Sequence, residues 1–97
     1  MTLQKYILLG NWTDHARKTF LKIPERIELT KKIIGEFNGS IDFFYTMGEY
    51  DFVALIDMPD EESMAKYLFK AYEARYITIK TLRAWTGTEF TKMVSEL

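Results

Sequence analysis

Two segments of this chain are apolar on both faces of an extended strand, and that property limits its possible folds more than any other. In Gln4–Trp12, Tyr6, Leu8 and Trp12 point one way while Ile7 and Leu9 point the other. Side chains alternate across a strand, so such a strand needs cover on both faces. In Tyr50–Met58 the same split puts Phe52, Ala54 and Ile56 on one face and Val53 and Leu55 on the other. The helical material in a chain of 97 residues covers only one face of a small sheet. The second face is left for another copy of the chain or for a ligand, because soluble monomers rarely carry apolar patches of that size.

The middle of the chain supplies the sheet's reversal. Two runs of strand formers, Ile41–Thr46 and Phe52–Met58, flank Tyr45-Thr46-Met47-Gly48-Glu49-Tyr50-Asp51. Gly48 can take the positive φ of a tight reversal, which predicts an antiparallel pair. Between the first strand and this pair, Ala16, Phe20, Ile23, Ile27, Thr30, Ile34 and Phe37 recur every three or four residues. The stripe keeps its phase across Pro24, so the pattern predicts one kinked helix over 13–38, capped by Thr13 or Asp14 and closed by a left-handed Asn38-Gly39. After the hairpin, Asp60 caps a helix whose buried stripe is Met64, Leu68, Ala71 and Tyr72. Ile77–Trp85 reads as a fourth strand. Thr86 and Glu89 then form a capping box ahead of Phe90, Met93, Val94 and Leu97, which predicts a short docked helix. The order is that of an α+β, ferredoxin-like βαββαβ unit: a four-stranded antiparallel sheet with two helices on one face, plus a short C-terminal helix. One domain over 1–97 accommodates it.

Charge and residue usage narrow the chemistry. With 13 basic and 14 acidic residues interspersed and a net charge of −1, no field gathers phosphates, so nucleic acid is not expected as a partner. The absence of cysteine excludes disulfides and thiolate ligands, and a single histidine excludes a histidine metal cage within one chain. No metal or other cofactor is expected. The first nine residues lack the signature of a signal peptide and no apolar run reaches membrane-spanning length, so a cytoplasmic protein without a membrane partner is expected.

Several motifs together resemble a known family. They are Tyr6-Ile7-Leu8-Leu9, Asn11-Trp12-Thr13-Asp14, Pro24-Glu25-Arg26, the central Tyr45–Asp51, Thr81-Leu82-Arg83-Ala84-Trp85 and Glu89-Phe90. This combination resembles the GYD family of small bacterial and archaeal proteins and covers nearly the whole chain. The resemblance implies a dimeric α+β barrel. Related barrels include monooxygenases, isomerases, haem-handling enzymes and amino-acid-sensing regulatory domains, and fold alone does not choose among them. Two positions depart from the family pattern: His15, where a glycine is usual, and Ala74-Arg75-Tyr76, where the helix exit usually has one.

The candidate ligand-binding residues are Trp12, His15, Tyr45, Tyr50, Asp51 and Arg83. Arg83 is a charge on an apolar strand and needs a partner, either Asp51 or a ligand's carboxylate. The Glu49/Asp51 pair offers an acid and a base or, as turn carboxylates more often do, braces the loop. His15 offers a base or a metal or haem ligand, against a surface or capping role, and no second histidine or cysteine completes a triad. Trp12, Phe43, Tyr45, Tyr50, Phe52 and Trp85 line either a cavity or a dimer core. Arg26 reads as solvated, and no residue is assigned to catalysis. Two functions follow. One is a homodimeric, or higher homo-oligomeric, small-molecule-binding barrel joined through the sheet face, with the ligand between sheet and helices. The other is a non-catalytic dimerisation or sensor module like the ligand-sensing domain of leucine-responsive regulators, without their DNA-binding part.

Overall fold

The computed structural model describes residues 3–97. Four strands, β1 (Gln4–Trp12), β2 (Ser40–Tyr45), β3 (Phe52–Met58) and β4 (Ile77–Ala84), form one antiparallel sheet in the order β2-β3-β1-β4. The described residues also form four α-helices: α1 (Asp14–Arg17), α2 (Ile23–Glu36), α3 (Glu61–Ala74) and α4 (Gly87–Ser95). The element order and sheet topology are those of the ferredoxin-like fold.

The doubly apolar strands are placed as their alternation requires. Tyr6, Leu8, Phe52, Ala54, Ile56 and Met58 face the helices and are buried, with Ile34 of α2 and Met64 and Tyr67 of α3 closing over them. The opposite face carries half-buried Ile7, Leu9, Val53 and Leu55 beside exposed Phe44 and Leu82. Register aligns them in rows, Leu55–Ile7–Leu82 and Phe44–Val53–Leu9, bordered by a Lys5–Asp57 ion pair of 2.9 Å. Among the described residues no helix covers this face, as expected from the limited helical material.

Three local expectations differ from the structure. The single kinked helix is instead three pieces: α1, a 3-10 turn over Phe20–Lys22, and α2. Pro24 sits in the first turn of α2, where its missing N–H costs nothing, so the chain breaks before it rather than bending around it. Thr13 caps α1, and Phe20 is exposed because the break lifts it off the stripe. On α3 the buried tyrosine is Tyr67, three residues after Met64, while Tyr72 is exposed. The last helix forms with its full capping box, yet Phe90, Met93, Val94 and Leu97 remain exposed, so α4 is not docked on its own domain. It contributes to an elongated shape of 50 × 30 × 17 Å.

The hairpin follows its sequence closely. Gly48 has φ of +129°, and the Thr46 N–H donates to the Asp51 carbonyl across the loop. Asn38 takes the left-handed conformation that ends α2, and the next residue has no room for a side chain: a Cβ at Gly39 would lie 2.6 Å from the Asp57 carbonyl oxygen. A second tight approach lies within the sheet, where a Cβ at Gly10 would overlap the ring of Phe52.

Candidate functional site

A cavity of about 130 Å³ lies between α2, α3 and the sheet. It exists because the two helices stand over different parts of the sheet, α2 over β2 and α3 over β3 and β4. Its floor is Leu8, Phe52 and Ala54, and its aromatic wall is Trp12 and Phe43. The Trp12 and Phe43 rings each lie 4.9 Å from Phe52, which locks the three together. Ile27 and Thr30 of α2 and Tyr67 and Ala71 of α3 form the sides. An apolar cavity of about 150 Å³ accommodates benzene, so this one matches a single ring or a short branched chain.

The polar groups around it are few. Arg26 of α2 lines the cavity, its guanidinium stacked 3.8 Å over the Tyr76 ring. Its Nη2 donates to Thr19 Oγ1 at 2.6 Å, whereas Nη1 is buried without a hydrogen-bond partner. Lys70 is the other cation in the lining, which among the described residues contains no carboxylate. Burial pushes the Tyr67 hydroxyl up to about 12. In the unfolded chain the phenol titrates near 10.0. Between those values the folded state keeps a proton that the unfolded state has lost, so stability falls as pH rises. The contribution is whole below pH 10 and is lost by about pH 12, roughly 2–3 kcal/mol in total. Denaturant titrations across that range should show this loss, and Tyr67→Phe should abolish it.

Of the residues singled out from sequence, the structure places Trp12 in the cavity wall. Tyr45 packs beside it, with ring centroids 6.2 Å apart, but is mostly exposed and outside the cavity lining. His15 stacks on Tyr76 at 5.3 Å, outside the lining, and lies exposed on α1. Tyr50 lies 5.8 Å from the Lys80 ammonium, away from the cavity. Asp51 is a brace: its Oδ2 accepts the Trp12 N–H at 2.9 Å, and its own N–H donates to the Gly10 carbonyl at 2.8 Å. Arg17 approaches the same carboxylate at 3.9 Å.

Arg83 does not reach Asp51. It pairs in register with Tyr6, whereas Asp51 bonds to Gly10, four residues further along β1 and so roughly 13 Å away. Its Nη1 donates to the carbonyls of Lys5 and Ala84, and its guanidinium stacks 4.5 Å over Trp85. With Tyr6, Thr81 and Glu61 it borders a separate shallow depression beside α3. Arg83 and Asp51, offered as partners by the sequence, thus lie in two unconnected places.

The arginine that lines the cavity is Arg26, which the sequence reads as solvated. Its signal in the sequence is its phase: it lies three residues after Ile23 and four before Thr30, a charge on the apolar stripe itself.

An α+β domain with one helix-covered sheet face, one open apolar face and an apolar cavity beneath its helices is the class these features define. The chain belongs to the GYD family, whose domain model matches residues 6–94. A relative from Thermus thermophilus, described as a glutamine synthetase and cystathionine beta-lyase binding protein, is 28% identical over 81 residues, which cover 81% of this chain and 85% of the relative. Among the described residues no helix is long and apolar enough to cross a membrane.

Proposed function

We propose that the protein is a cytoplasmic homodimer that holds a small, mainly apolar molecule between α2, α3 and the sheet. The observation that carries this reading is the cavity itself, walled by Trp12, Phe43 and Phe52 and of single-ring size. The dimer is supported by the rows Leu55–Ile7–Leu82 and Phe44–Val53–Leu9 on the uncovered face, which a second copy would bury. Ligand and partner then occupy opposite faces of one sheet.

The chain has two tryptophans, so Trp85→Phe leaves Trp12 as the sole reporter. Titrating that variant with toluene should give a saturable change in emission, on a species that sediments as a dimer. A linear, unsaturated response up to the solubility limit would count against the binding reading.

A second reading is a non-catalytic association module. It is favoured by the stripe Phe90, Met93, Val94 and Leu97 on α4, exposed in the single chain, and by the relative's description as a protein that binds two enzymes. In that case removal of α4 should abolish partner binding while leaving the toluene response of Trp12 intact.

A further inference from the structure

Arg26 brings to the cavity a charge that the apolar reading does not use. A guanidinium stays charged at any pH a protein survives, so it cannot relieve burial by losing its proton. A buried donor on a charged group, left without an acceptor, is costly. Yet Nη1 of Arg26 is in that state, while the rest of the group is held in place by Thr19 and by stacking on Tyr76. Among the described residues no carboxylate forms an ion pair with Arg26.

Resting on the ligand-binding reading above, we propose that the ligand is a small monocarboxylate whose carboxylate accepts from Arg26 Nη1 while its apolar body fills the cavity. One free guanidinium nitrogen with a single lysine, Lys70, in the same lining matches an anion of one charge. A fixed fork suits a planar carboxylate, and a donor held in position loses little entropy when the acceptor arrives. The cavity volume limits the body to about one six-membered ring or a branched aliphatic chain of similar size.

The test compares phenylacetate with its neutral isostere phenylacetamide by calorimetry at low salt. The full-length protein should prefer phenylacetate by roughly tenfold or more, the scale of one hydrogen bond to a charged group. Arg26→Met should erase that preference while phenylacetamide still binds, which also reports that the variant is folded. Arg26→Lys should keep part of it. Equal affinities in the wild type overturn the anchor and leave the cavity reading standing. A preference that survives Arg26→Met, or one lost only in Lys70→Met, also overturns Arg26 as the anchor. Failure of both compounds to bind overturns the anchor and the cavity reading together.

Discussion

Phe52→Ala is expected to remove about 3–5 kcal/mol of stability, a large part of the whole for a domain of this size. Phe52 is 1% exposed and does two things at once. Its ring fills the space over Gly10 and forms the floor on which Trp12 and Phe43 pack. The converse change gives the same information. Gly-to-Ala within a strand ordinarily stabilises by roughly 0.5–1 kcal/mol. At Gly10 the added methyl overlaps the Phe52 ring, so Gly10→Ala should instead destabilise by about 1–3 kcal/mol. For a domain of this length each kcal/mol corresponds to roughly 4–8 °C in Tm. Because the two residues touch, their effects should not add: Gly10→Ala should cost less in a Phe52→Leu background than in the wild type, as read by denaturant unfolding of the four-protein cycle. Strict additivity would mean that the ring does not sit where the structure has it.

Ala71→Phe should weaken ligand binding by roughly thirtyfold, the equivalent of about 2 kcal/mol of apolar burial transferred from the ligand to the protein. Ala71 lies on α3, half-buried, with its side chain in the cavity lining. A phenyl ring added there has the size of the molecule the cavity is proposed to hold. Stability should stay level or rise, since filling a void commonly adds about 0.5–2 kcal/mol. Weaker binding together with unchanged or higher Tm separates loss of the site from loss of the fold. Unchanged binding in a stable variant would put the ligand elsewhere.

The fold was legible because its signals are periodic and local. Alternation along Gln4–Trp12 and Tyr50–Met58 assigned both faces of the central strands, and Gly48, Asp60 and the Thr86–Glu89 box marked the boundaries that the structure has. Pro24 was ambiguous because an unbroken stripe is compatible with either a kink or a fresh start. The choice depends on whether the chain can turn at Thr19, which no residue type announces. The buried stripe of α3 was assigned Tyr72 rather than Tyr67, and both lie at helical spacing from Leu68 or Ala71. Only the tilt of the helix on the sheet decides between them.

The candidate site was less legible, because it depends on distances across the sheet. Arg83 lies on the edge strand β4 and Asp51 just before β3, and register sets them about four residues apart along β1. Pairing by residue type could not see this. Asp51 holds a backbone N–H at the end of β1, the bracing role expected of a carboxylate beside a turn. Arg26 read as solvated, because its burial comes from Tyr76, fifty residues away in sequence and reached only when β4 closes beside β1.

The most direct test of the proposed site is amide chemical-shift mapping of the labelled protein titrated with phenylacetate. The largest saturable shifts should fall on Trp12, Arg26, Tyr67 and Ala71, on three elements that meet only at the cavity, with the open face and α4 unmoved. Saturable shifts confined to α4 or to Ile7, Leu9, Val53 and Leu55, with the cavity residues silent, would contradict it.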